Sequence, residues 1–113
     1  MKLITAAIQK KLVDNFNKTM ETGESGEVVL KLFGGSNCTW LITDIDPENN
    51  DTMMGLCDLG MGCCEYGSVS LSELAATRFP PFGLGVERDM HFSGGTVESF
   101  RKYYEEHGTL AGC

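Results

Sequence analysis

The chain has 113 residues, 42% of them hydrophobic, which is near the commonest length for one domain and excludes the composition of a disordered chain. Its formal charge of −7 disfavours direct binding of DNA or RNA, and no apolar run approaches the roughly 20 residues that a membrane span needs. Lys10 and Lys11 follow the first apolar residues instead of preceding them, the wrong order for a signal peptide, so a cytoplasmic protein without membrane contact is expected.

In chain order, the first predicted element is a helix over about residues 5–21. Ile4, Ile8, Leu12 and Phe16 recur every four residues, with Val13 and Met20 beside that stripe. Thr5 is the expected N-cap, and Gly23 and Gly26 end the helix. Residues 27–33 alternate as a strand, with Val28, Leu30 and Leu32 on one face and Val29 and Lys31 on the other. The run Gly34-Gly35-Ser36-Asn37 predicts a tight turn into a second strand, 38–46, and hence an antiparallel hairpin. Residues 47–51 form a polar loop.

A third strand is expected over 53–59, then a glycine-rich bulge or turn with Gly60, Gly62 and Gly67, then a short strand over 66–69. Ser70 through Glu73 has capping-box spacing, which starts a short helix to Thr77, and Pro80 and Pro81 prevent its continuation. Residues 84–90 read as one more strand. Thr96 caps a last helix, 97–107, stopped by Gly108, with Val97, Phe100, Tyr103 and Tyr104 as its buried stripe. The order predicts one α+β domain, an antiparallel sheet of four to five strands with N-terminal and C-terminal helices packed on one face of it.

The charge is unevenly placed. Between Leu32 and Thr77 stand Asp44, Asp46, Glu48, Asp51, Asp58, Glu65 and Glu73, with no Lys or Arg among them, while the remainder of the chain is neutral. Such a segment attracts a basic protein partner, although carboxylates also serve solubility alone.

The odd set of five cysteines, with no secretion signal, argues for reduced thiols, with Cys113 exposed and prone to adventitious dimerisation. Cys57, Cys63, Cys64 and His91 are the only candidates for zinc, but adjacent cysteines have the wrong spacing for one tetrahedral ion, so no metal site is expected from them. Asp44, Asp46, Asp58, Glu87 and Asp89 are a candidate carboxylate cluster. If their strands are neighbours, these acids would hold Mg²⁺ for cleavage of single-stranded DNA. Only Arg88 and His91 lie nearby to hold a polyanion, which favours a solvated acidic face. A cysteine nucleophile would need a histidine, and nothing in the spacing pairs His91 with a particular thiol. His107 fits the end of the last helix, complementing its dipole. Gly60-Met-Gly62 and Gly83-Leu-Gly85 are only fragments of a dinucleotide fingerprint, and no cofactor is expected.

Four segments, residues 39–47 (TWLITDIDP), 55–62 (GLCDLGMG), 69–74 (VSLSEL) and 83–92 (GLGVERDMHF), occur together in this order. Together they resemble a family of small domain-of-unknown-function proteins carried by plasmids, phages and conjugative elements and associated with antirestriction proteins. The resemblance spans about residues 28–92. It brings no catalytic residues, and the family's usual form has other residues where Cys63 and Cys64 stand. It implies a counter-defence role, anti-CRISPR or antirestriction, that protects incoming DNA.

With the charge, this points to a non-enzymatic inhibitor that binds a basic, nucleic-acid-handling effector, a CRISPR–Cas nuclease such as Cas9 or a restriction enzyme. Asp44, Asp46, Glu48, Asp51, Asp58 and Glu65 would make the contacts, with Tyr66, Met61 or Phe82 as apolar anchors. The alternatives are the carboxylate nuclease and an accessory subunit of a plasmid-encoded partner. The residues fix no oligomeric state.

Overall fold

A computed structural model describes residues 2–24, 26–35 and 37–113, so Ser36 of the expected turn lies outside the described residues. Helix α1 spans Ala6–Thr22. The Thr5 hydroxyl caps it by accepting the Ile8 N–H at 3.2 Å, and Gly23 ends it in the left-handed region at φ 74°. Leu12 is fully buried with Ile4, Ile8 and Val13 against it, but the stripe stops there, since Met20 is 73% exposed. Asn15 fastens the helix to the sheet by donating to the carbonyls of Glu27 and Thr43 at 3.3 and 3.0 Å.

The strand expected over 27–33 is two. β1 (Glu27–Val28) pairs with β9 (Gly95–Thr96), whereas β2 (Leu30–Gly34) pairs with β3 (Cys38–Ile45) in the expected antiparallel hairpin. The break at Val29 changes the face. Val28 packs with Val97, while Leu30 and Leu32 pack with Leu12. β4 (Thr52–Asp58) and β5 (Cys64–Ser70) extend the sheet, and β8 (Glu87–Arg88) closes it on the other side, giving the order β5-β4-β3-β2-β8, antiparallel throughout. The strand expected over 84–90 is likewise divided. β7 (Leu84–Gly85) pairs with β6 (Arg78–Phe79), and β8 pairs with β2.

Helix α2 (Leu71–Ala76) follows β5, capped by the Ser70 hydroxyl on the Glu73 N–H. Helix α3 (Val97–His107) has the reciprocal capping box, between Thr96 and Ser99, and stops at Gly108. The two long helices do not share a face of the sheet. Trp40 and Ile42 point toward α1, while Leu41, Leu56 and Leu110 pack with Val97, Phe100, Tyr103 and Tyr104 of α3. Residues alternate along a strand, so α1 and α3 cover opposite faces. Among the described residues no helix is long and apolar enough to cross a membrane.

Candidate functional site

The structure separates the acids of the central segment. Asp44 and Asp58 are 4% and 1% exposed, which corrects their expected role as surface contacts. Asp44 sits at a register shift in β3, where the Thr43 hydroxyl lies 2.9 Å from its carboxylate, 3.1 Å from the Met54 carbonyl and 2.8 Å from the Tyr66 hydroxyl. Tyr66 is half-buried against the α3 cluster, whereas Met61 and Phe82 are 76% and 82% exposed. Asp58 accepts the backbone N–H groups of Gly60 and Leu110, each at 2.9 Å. These buried carboxylates hold the fold.

Asp51 joins the β3–β4 loop to α2. It accepts the Ser70 hydroxyl at 2.7 Å and the Ser72 N–H at 2.8 Å, and these bonds hold its carboxyl below the ordinary range. Burial instead pushes the Asp44 carboxyl up, with the Thr43 hydroxyl pulling partly back. The two therefore affect stability with opposite sign. As pH falls toward 3.8 through the raised Asp44 pKa, the folded state takes up a proton before the unfolded chain does, so the native protein gains stability relative to Asp44→Asn. Below 3.8 the native protein loses stability relative to Asp51→Asn, as the Asp51 carboxylate is protonated. Urea unfolding of the three proteins from pH 7 to pH 3 checks both signs, and parallel profiles would contradict them.

The carboxylates proposed for Mg²⁺ do not converge. Glu87, Phe33, Thr39 and Asp58 form one cross-strand row, which puts Glu87 three strands from Asp58, about 14 Å. Asp44 lies five residues along β3 from the rung of Asp58, about 17 Å. Asp89 turns to Lys31, with its carboxylate 3.7 Å from Nζ. Among the described residues no group of three or more His, Cys, Asp or Glu could hold a metal ion.

The cysteines are free. Cys57 packs on the α1 side and Cys64 on the α3 side. Burial pushes Cys57 up to about 11 and raises Cys38, Cys64 and Cys113, the opposite of what activates a nucleophile. Cys113 is half-buried in the α3 cluster, so Cys63 is the exposed thiol instead. His107 stacks on Tyr103 at the C-terminal end of α3, with the ring centroids 4.0 Å apart. A cleft of about 320 Å³ opens at the β2 side, lined by Lys31, Phe33, Thr39, Arg88 and Asp89. Lys31 is buried in its wall and donates to the Cys113 carbonyl at 3.0 Å.

What remains of the acidic segment is a surface. Of sixteen acids only Asp44 and Asp58 are buried, and of nine bases only Lys31, so fourteen carboxylates face eight cations on the accessible protein. β4, β5 and α2, which form one side of the sheet, contain no Lys or Arg. Glu65 lies near the start of β5. At its other end stand Glu73 and the loop carrying Asp46, Glu48 and Asp51, five rungs or about 17 Å away. The acids thus bracket the edge of the sheet without forming a cluster.

No curated protein and no solved structure matches this chain. A family model described as a protein of unknown function, DUF2958, matches residues 3–110, which include all four segments of the sequence resemblance. The chain belongs to that DUF2958 family.

Proposed function

We propose that this protein is a mobile-element counter-defence protein, a non-enzymatic acidic inhibitor that binds a basic, nucleic-acid-handling host effector such as a CRISPR–Cas nuclease or a restriction enzyme. The observation that carries the reading is that β4, β5 and α2 contain no Lys or Arg and are bracketed by Asp46, Glu48, Glu65 and Glu73. Effectors that hold nucleic acid do so with Lys- and Arg-rich channels. A compact acidic surface competes for such a channel, and complementary potentials speed its approach. Met61, exposed in the loop that leads into β5, is available as an apolar anchor beside the carboxylates. The resemblance to proteins of plasmids, phages and conjugative elements supplies the setting in which such an inhibitor is useful.

The test is a pull-down of tagged protein against purified defence effectors, with and without their nucleic acid, at two salt concentrations. Binding that weakens with salt and with bound nucleic acid is expected. The combined variant Asp46→Asn, Glu48→Gln, Glu65→Gln, Glu73→Gln is expected to associate roughly ten- to a hundredfold more slowly at low salt. Unchanged association in this variant would contradict electrostatic docking.

A further inference from the structure

The two edges of the main sheet differ. β8 is only two residues long, a short edge that gives another strand little to pair with. β5 ends the other side with seven residues, Cys64–Ser70, each in register with β4 from Asp58↔Cys64 to Thr52↔Ser70 without a shift. Among the described residues no strand pairs with its outer side. Edge strands are ordinarily blunted by Lys, Pro, a bulge or brevity. β5 has none of these, and its one charge is Glu65. The face above it is open at its middle, since a side chain at Gly67 would meet nothing within 4 Å.

We infer that the outer edge of β5 receives an extended, basic segment of a partner protein as an added antiparallel or parallel strand. This rests on the preceding proposal of a basic protein partner and specifies how it is held. In a strand with one neighbour, alternate residues direct their N–H and C=O groups away from that neighbour. Main-chain pairing to those groups gives affinity without reading sequence, and the flanking side chains select charge. Glu65 lies toward one end of the edge, and Glu73 with Asp51 lies at the other. A segment carrying Lys or Arg toward both ends would match them. Arg101 of α3 acts on Cys64, whose side chain lies on the opposite face of β5 from Glu65. A second copy of this chain is the poorer occupant, because it would bring two such acidic sides together between proteins of charge −7.

The experiment uses the full chain, isotopically labelled, and a short capped peptide of alternating Lys and Thr as the probe. A second peptide carries N-methyl groups on alternate backbone nitrogens, which preserves charge and removes main-chain donors. The expected result is slowed hydrogen exchange at alternate β5 amides on adding the first peptide, with the second binding roughly thirtyfold more weakly. Equal binding of both peptides would overturn strand addition and leave electrostatic docking standing. Failure of the first peptide to bind at low salt would also overturn it, while the effector pull-down decides the broader reading separately. A dimer that protects the same amides without peptide would overturn it in favour of a second copy.

Discussion

Asp58→Ala is expected to destabilise the protein by about 3–5 kcal/mol, a fall in Tm on the order of 10–20 °C for a chain of this length. The carboxylate is 1% exposed and ties two distant pieces of backbone together. One oxygen accepts the Gly60 N–H, which shapes the turn leaving β4, with Gly60 at φ 76°. The other accepts the buried N–H of Leu110 at 2.9 Å, with the Thr109 hydroxyl at 3.4 Å. Leu110 is itself fully buried against Leu41, Leu56 and Val97. Removing the carboxylate leaves the Leu110 donor in an apolar layer without its acceptor, and the segment behind α3 loses its attachment. Asp58→Asn keeps one acceptor but turns an amide toward the other N–H, so an intermediate loss is expected. Urea unfolding with hydrogen exchange at Leu110 measures both effects. Unchanged stability together with lost effector binding would return Asp58 to the role of a surface contact.

The parts legible from the sequence are those set by neighbours along the chain. Thr5, Ser70 and Thr96 cap the three helices, and Gly23 and Gly108 end the long ones, because each cap needs only residues within one turn. The hairpin of β2 and β3 follows the same logic. The two misread strands share a cause. Residues 27–33 and 84–90 each look continuous, but each divides between a partner nearby in the chain, β3 or β6, and one far away, β9 or β2, and alternation within a short run does not reveal its partner. The placement of α3 was legible in principle. Trp40, Leu41 and Ile42 are consecutive apolar residues in one strand, and a strand that is apolar on both faces needs cover on both.

The acidic segment shows the limit of counting charges. Asp44 and Asp58 look like Asp46 and Glu48 on paper, yet the first two are interior hydrogen-bond acceptors. Asp58 finds its main partner 52 residues later, in a short C-terminal stretch with no periodic pattern of its own. Subtracting the interior pair and Lys31 leaves the surface nearly as acidic as the composition suggests, but it moves the proposed interaction surface from the middle strands to the β5 side.

The carbonyl-to-glycine contact inside the sheet carries the other large expected effect. Gly55→Ala is expected to cost about 3 kcal/mol or more, at the upper end of the range for overpacking. Gly55 pairs with Ile42 where the β3–β4 register shifts between Ile42 and Asp44. A Cβ there would collide with the Leu41 carbonyl oxygen and lie 3.0 Å from the Ile42 Cα, both main-chain atoms that cannot swing aside. A glycine inside a strand is a sequence sign of a bulge or a close approach of backbone, and here both occur. Relief requires β3 and β4 to part beside Thr43, which would disturb the hydroxyl linking Asp44, Met54 and Tyr66 and, through Gly55↔Gly67, the middle of β5. Gly67→Ala is the matched control, because its side chain would enter open space. Thermal unfolding of the two variants should place Gly67→Ala close to the native protein and Gly55→Ala well below it, and equal Tm values would mean that the register shift tolerates a side chain.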